Sequence, residues 1–140
     1  MKKTPAAEEI SPVMRELSAY IARGCVKALP KPVIEKTKHH VLDTIAAMVS
    51  GSRLLPGKMA IAYVKTLGGT RQATVLGSRF VTNTVNAAFA NAMLAHADET
   101  DDSHAKAYMH PGSGIVPAAL AMAEQWRCNG TALLRAVALG

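Results

Sequence analysis

Apolar residues recur at intervals of three and four positions along most of this chain, the spacing that places them on one face of an α-helix. Ser11 and the proline after it form a typical helix start, and the spacing predicts a first helix over residues 12–29. A wide apolar stripe predicts a second helix over residues 32–49, and Gly51 is its expected stop.

The same periodicity predicts further helices over residues 57–67, 83–96 and 131–140. Ser113 can cap one more helix, with Pro117 in its first turn and Trp126 near its end. Residues 73–77 resemble a strand that is too short to define a sheet, and we expect them to cross the helical body as an extended connection. The pattern predicts an all-α fold of at least five helices, with a body built on residues 13–29, 32–49 and 85–95.

The chain divides into a short polar N-terminal segment and a longer segment with helical apolar spacing. Residues 1–10 are predicted to form a flexible polar leader, and residues 11–140 a single helical domain. The last predicted helix reaches Gly140 without a polar ending, so we expect this domain to be part of a larger one.

Composition narrows the class of protein. The net charge of +6 would suit an anionic partner, but the bases are scattered without interleaved aromatics, which argues against nucleic-acid binding. The longest apolar run, residues 115–123, is too short for a membrane span, and no signal peptide is recognisable, so we expect a cytoplasmic or organelle-matrix protein. Cys25 and Cys128 are too few for a disulfide framework or a zinc site, and we expect buried, reduced thiols.

Residues 91–117 concentrate the chemically active side chains. Of the ten acidic residues, four fall within five positions: Asp98, Glu99, Asp101 and Asp102. Three of the five histidines lie in the same stretch: His96, His104 and His110. The other two, His39 and His40, fall in the second predicted helix, away from the cluster, and we interpret them as structural or surface residues.

Three interpretations of the cluster stay open on the residues alone. Carboxylates and imidazoles can bind a metal ion, although their spacing matches no known metal motif. The acids can instead cap the next helix in a solvated loop. In the third interpretation, crowded carboxylates cannot all ionise cheaply, so one keeps its proton and works with a histidine in acid–base catalysis. The amides of the helix that follows His110 could then receive a substrate carboxylate.

Five blocks of the sequence, in the same order, resemble successive N-terminal motifs of the MmgE/PrpD family. They are LDTIAAMVSG (42–51), GGTRQATVLG (68–77), NAMLAHADETDDSH (91–104), HPGSGIVPAALAMAE (110–124) and NGTALLRAVALG (129–140). The resemblance implies a large helical domain with a smaller α/β lid, usually in a homodimer. It also implies a cofactor-independent lyase or epimerase, without a metal, that acts on a small di- or tricarboxylate such as 2-methylcitrate or cis-aconitate.

Individual roles follow from the resemblance. Glu99 stands where the family has an active-site Asp, Ser103 where it has a Thr, and His110 at the His of its HPS or HPG motif. Asp98 and Thr100 replace a Leu and a Phe, which makes this loop more polar than the family pattern. Together with the cluster itself, this leads us to expect five catalytic residues: Glu99, Asp101, Ser103, His104 and His110. Glu99 or Asp101 would handle a proton, Ser103 would orient the substrate, and the two histidines would bind a carboxylate or share the proton transfer. We expect Asp102 and Ser113 to bind substrate.

Two functions from different classes follow. The chain is expected to be the N-terminal part of a lyase that dehydrates, decarboxylates or isomerises a small polycarboxylate, and to be inactive by itself. The alternative is a non-catalytic helical fragment or a dimerisation module.

Overall fold

Helices form most of the computed structural model, which describes residues 10–97 and 99–140. In chain order the elements are α1 (Pro12–Gly24), α2 (Lys31–Gly51), α3 (Leu55–Leu67), β1 (Ala73–Thr74), β2 (Val81–Thr82), α4 (Thr84–His96), α5 (Pro111–Gln125) and α6 (Gly130–Leu139). Six helices and one short strand pair in this part of the chain confirm the predicted all-α fold. None of these helices combines the length and apolar character needed to cross a bilayer. The predicted leader, except Ile10, lies outside the described residues.

The central element is α4, which packs against α2, α3, α5 and both strands. Its buried face carries small side chains, and Ala87 and Ala90 are completely inaccessible to solvent. Leu94, also on α4, is the largest apolar side chain that this helix buries fully. The neighbouring helices complete the core with Met48, Val64 and Val116, from α2, α3 and α5 in that order. The short alanine side chains allow the helix backbones to approach one another closely.

Two glycines make the closest of these approaches. A Cβ atom at Gly51, the last residue of α2, would overlap the backbone oxygen of Leu94. A Cβ atom at Gly57 in α3 would likewise overlap the backbone oxygen of Gly51. Because there is no room for a side chain at either position, glycine fixes the distance of α2 and α3 from the C-terminal end of α4.

The segment expected to be a plain extended connection forms one arm of a small hairpin. Ala73 pairs with Thr82 and Thr74 with Val81 in antiparallel register. The buried Asn91 of α4 holds this hairpin, since its amide nitrogen donates to the Thr74 oxygen and its amide oxygen accepts from Leu76 N–H, both at 2.9 Å. The hairpin is therefore stabilised by side-chain hydrogen bonds to a helix as well as by its own two-residue pairing.

The first helix is shorter and more exposed than the pattern predicts. α1 ends at Gly24, so the expected extension to residue 29 is wrong; glycine is one of the residues least favourable to the continuation of a helix. No residue of α1 is buried, so the predicted contribution of residues 13–29 to the body is also wrong. Both cysteines, Cys25 and Cys128, are exposed, contrary to the expected buried thiols.

The fifth helix starts three residues earlier than predicted. Pro111 takes the first helical position and His110 the N-cap position, while Ser113 lies within the first turn. The side chain of Ser113 donates to the backbone oxygen of His110 at 2.8 Å and does not cap the helix. The reason is that proline, whose φ angle is fixed and which lacks an N–H, is well suited to the first helical position. As a result Pro117 lies in the helix interior.

A matched pair of leucines tests the core. Leu94→Ala should lower the free energy of unfolding by about 2–5 kcal/mol, because it leaves a cavity where a side chain is fully buried. Leu42→Ala, at a leucine that is 67% exposed in α2, should change it by less than about 0.5 kcal/mol. Urea unfolding followed by circular dichroism measures both, and equal effects would contradict the central position of α4.

Candidate active site

The end of α4 and the start of α5 bring two histidines together. His96 is the last residue of α4, and His110 is the N-cap of α5. Their ring centroids lie 5.4 Å apart, although 13 residues separate them in the chain. The loop between the two helices carries the acidic residues of the cluster, so helix packing places acids and imidazoles in one small volume. Asp98, one of these acids, lies outside the described residues.

Asp101 is the buried acid of this site. Its side chain is 0% exposed and lies between the two imidazoles, with Oδ2 3.5 Å from His96 Nδ1 and Oδ1 3.5 Å from His110 Nδ1. Neither carboxyl oxygen has a hydrogen-bond partner among the described residues. A buried carboxylate without donors is costly, and the two rings are the groups best placed to compensate its charge.

Asp102 holds the start of α5. Its Oδ1 accepts the backbone N–H of Gly112 at 2.8 Å, and its backbone oxygen lies 2.8 Å from His110 Nδ1. A Cβ atom at Gly112 would overlap Asp102 Oδ1 and crowd the hydroxyl of Thr44, so only glycine fits there. Of the amides expected to receive a substrate carboxylate, that of Gly112 is therefore already occupied by a carboxylate of the chain.

The same contacts define the protonation pattern of His110. A backbone oxygen can only accept a hydrogen bond, so Nδ1 of His110 must carry the proton that it donates to Asp102. In the neutral ring Nε2 is then the unprotonated nitrogen. The His110 side chain is 35% exposed, which leaves the ring accessible to a ligand. His110 can therefore present Nε2 to a ligand as a proton acceptor, while its Nδ1 stays hydrogen-bonded within the protein.

The remaining candidate residues occupy different positions. Glu99 is exposed and has a φ of 54°, in the left-handed region that a glutamate rarely adopts. Ser103 and His104 line a cavity, and His104 Nδ1 accepts the backbone N–H of Ala107 at 3.2 Å. Ser113 is committed to its local bond with His110. The structure thus brings Asp101, Asp102 and His110 together, places Ser103 and His104 beside them on the cavity wall, and keeps Glu99 at the surface.

The cavity has a volume of about 480 Å³ and lies between α2, the loop and the facing ends of α5 and α6. Its lining consists of Pro32, Val33, Lys36, Thr37, His40, Asp102, Ser103, His104, Pro111, Gly112, Ile115, Val116, Val137 and Ala138. This volume is within the usual range for small-molecule sites, about 300–1,000 Å³.

Sequence reasoning missed the part of the cavity wall that α2 supplies. His40 Nδ1 lies 3.9 Å from Asp102 Oδ2, so the interpretation of His40 as a residue remote from the acids is wrong. Lys36, four residues earlier, lines the same cavity. Their spacing indicates that they share a helix face, but only the tertiary structure shows that this face turns toward the acidic loop. His96, which the sequence placed in the cluster without a role, is a neighbour of Asp101.

No group of three or more His, Cys, Asp or Glu side chains within the described residues has the geometry to hold a metal ion.

Comparison with known proteins places these features in a family. A family model described as MmgE/PrpD N-terminal domain matches residues 15–140. Cis-aconitate decarboxylase of Aspergillus terreus is 26% identical over 123 residues, which cover 88% of this chain and 25% of that protein. Cis-aconitate decarboxylase-like protein oryM of Aspergillus oryzae is 29% identical over 112 residues, which cover 80% and 23%. The chain thus spans about a quarter of the length of these curated relatives.

Gly112 offers a test of how His110 is held. Gly112→Ala should displace the Asp102 carboxylate and release the bond between His110 Nδ1 and the Asp102 oxygen, so the neutral ring should become a mixture of tautomers. Long-range ¹H–¹⁵N NMR of the imidazoles measures the tautomer directly. The control is Gly114→Ala, at a helix position where a Cβ meets open space. A His110 ring protonated at Nε2 in the unmodified chain would contradict the assignment.

Proposed function

Because this chain belongs to the MmgE/PrpD family as its N-terminal part, we propose that it supplies the proton-transfer loop of a lyase acting on a small di- or tricarboxylate. The observation that carries this proposal is the buried Asp101 between His96 and His110. Such an arrangement suits reactions in which a proton moves to or from a carbon next to a carboxylate. The relatives named as cis-aconitate decarboxylases support the same class of substrate.

His110 is the proposed general acid–base. Its Nδ1–H is held by the Asp102 backbone oxygen, and the Asp101 carboxyl 3.5 Å away compensates the positive charge that the ring gains when it takes up a proton. An acid behind an imidazole performs the same task in other enzymes, where it fixes the tautomer and stabilises the imidazolium. Nε2 is then the atom that takes a proton from the substrate or returns one to it.

The chemistry requires only acid–base groups and charge stabilisation. Decarboxylation breaks the bond to one carboxylate, releases CO₂ and leaves a carbanion that must accept a proton. Dehydration removes a proton from carbon and protonates the departing hydroxyl. In both cases the electron pair is generated beside another carboxylate, and an acid–base pair can complete the reaction. We therefore propose a reaction without a cofactor.

The other loop residues take supporting roles in this proposal. Ser103 and His104, on the cavity wall, orient the substrate and bind a carboxylate. Glu99 stands at the surface, where its carboxyl can reach a ligand outside the buried cluster, and it provides a second acid–base group. Because the chain spans only about a quarter of the relatives' length, we propose that further groups are needed for turnover and that this chain alone is inactive.

A full-length homologue tests the proposal. Substitutions equivalent to His110→Ala and Glu99→Gln should each lower kcat for cis-aconitate or 2-methylcitrate by about 100-fold or more, the usual contribution of a positioned acid–base group. Glu99→Gln should leave the free energy of unfolding nearly unchanged, because Glu99 is exposed, whereas His110→Ala should also lower it, because it removes one of the two rings beside the buried Asp101.

The control is the substitution equivalent to His39→Ala, at an exposed histidine outside the cavity, which should leave kcat unchanged. The isolated 140-residue chain should show no turnover above a buffer blank. Near-normal turnover by both active-site variants would refute the proposed roles.

A second candidate function, self-association, rests on the exposed face of α1. Five of its large apolar side chains are between 37% and 73% exposed: Val13, Met14, Leu17, Tyr20 and Ile21. Exposed apolar patches of this kind mark contact surfaces in soluble proteins. We propose that this face contributes to a homodimer, which is compatible with a lyase and also sufficient for a non-catalytic dimerisation module.

A pair of charge substitutions tests the second candidate. Leu17→Glu places a charge within the apolar face of α1 and should shift the chain toward the monomer at micromolar concentration. Ala22→Glu introduces the same charge at an exposed position outside that face and should leave the association state unchanged. Analytical ultracentrifugation measures both, and an unmodified chain that is monomeric at 100 μM would rule the dimer out.

A further inference from the structure

Two side chains of α2 face the cavity and have no part in the proton-transfer cluster. Lys36 and His40 are four residues apart and both line the cavity wall, as do Ser103 and His104 of the loop. All four can donate a hydrogen bond. They stand on two different elements around the same space, which is the arrangement that a bound carboxylate requires.

Lys36 differs from the other lysine in its turn of the helix. Lys38 donates to Glu35 at 2.9 Å in an exposed ion pair. Lys36 has no ion pair within the part of the chain that the structure describes. It is also the only cavity-lining residue in that part with a permanent positive charge. Its charge is therefore available to a ligand.

Among the described residues that line the cavity, Asp102 alone carries a carboxylate, and the chain already engages it. Asp102 Oδ1 accepts Gly112 N–H at the start of α5, where the helix dipole is positive. Asp102 Oδ2 lies 3.9 Å from His40 Nδ1. An incoming carboxylate thus meets Lys36 and the two imidazoles, while the Asp102 carboxylate is held at the helix start.

Most of the other described lining residues are apolar, with Thr37 as an exception. Val33 of α2, Ile115 of α5 and Val137 of α6 contribute apolar side chains to the wall. A ligand held by Lys36 and His40 would place a short alkyl substituent within reach of these side chains. Burying one methyl group there corresponds to about a fourfold gain in affinity, at about 0.8 kcal/mol per methylene-sized group.

We propose that Lys36 and His40 form a carboxylate subsite that selects small polycarboxylates bearing a short alkyl group. The proposal rests on the proposed function, since it assigns the substrate class to the cavity beside the same loop. In it, Lys36 and His40 bind and orient the substrate and take no part in proton transfer. The alkyl group packs against the Val33, Ile115 and Val137 wall, which is the feature that separates a methyl-bearing substrate from an unsubstituted one.

NMR titration of the 140-residue chain tests the subsite without any need for turnover. The probes are succinate, 2-methylsuccinate and the uncharged succinamide. Both acids should shift the backbone amides around residues 36–40 and 103–104. The methyl-bearing acid should bind about fourfold more tightly than succinate. Succinamide should shift none of these signals at the same concentrations.

Matched variants assign the binding to the named side chains. Lys36→Gln should weaken 2-methylsuccinate about fivefold, the effect of losing a partly exposed charged partner. Lys38→Gln, next to it on the helix, should have no effect. His40→Gln should weaken binding, while His39→Gln should not. Circular dichroism confirms that each variant is folded.

The outcomes separate the subsite from the proposed function. Equal effects of the Lys36 and Lys38 variants, equal binding of the two acids, or shifts caused by succinamide would overturn the subsite. None of those results would conflict with a loss of turnover in the His110 variant of a full-length homologue, which tests the proposed function. Conversely, Lys36-dependent binding in the chain would uphold the subsite even where that homologue variant retained turnover.

Discussion

The constraint on which this structure depends is the close approach of α4 to its neighbours. Gly51 and Gly57 bring two backbones to distances that a Cβ atom would prohibit, and Ala87 and Ala90 keep the buried face of α4 thin. Contacts between backbones leave little freedom for a helix to slide or rotate, because interiors are close-packed. The position of the last residue of α4, His96, is therefore set by the packing of Gly51 against Leu94 and Ala97, on either side of it in the chain.

The polar contacts of the loop continue this constraint into α5. Asp102 uses its side chain for the Gly112 amide and its backbone oxygen for the His110 ring, so one residue determines both where α5 begins and how its N-cap imidazole is oriented. Burial of Asp101 then places a carboxyl between the two imidazoles. The three described acids of the cluster have distinct tasks: Asp101 is buried against histidines, Asp102 is bound to a helix start, and Glu99 is exposed.

Local patterns in the sequence predicted the local structure well. Apolar spacing identified every helix, and the Ser11–Pro12 start is confirmed by the bond from Met14 N–H to the Ser11 hydroxyl. The spacing did not identify what the apolar face of each helix packs against. The stripe on α1 is amphipathic, but nothing in its pattern states whether the apolar face meets a core or solvent, and it is exposed. Competition between two local signals explains the misplaced start of α5, where Pro111 outweighed Ser113.

The candidate site was predictable in its loop and unpredictable in its surroundings, for a physical reason. Acids and histidines that are close together in sequence remain close in space, so the sequence alone identifies the cluster. The contact between His40 and Asp102 joins residues 62 positions apart, and only the packing of α2 against α4 and α5 creates it. As a consequence, different residues can carry out proton transfer and ligand binding. In the functions proposed above, the buried Asp101 and the partly exposed His110 transfer a proton beside the cavity, whereas the α2 face binds and selects the ligand. A substitution on α2 can therefore alter which ligand binds while the ring that handles the proton keeps its tautomer, because the Asp102 backbone oxygen that fixes this tautomer belongs to the loop.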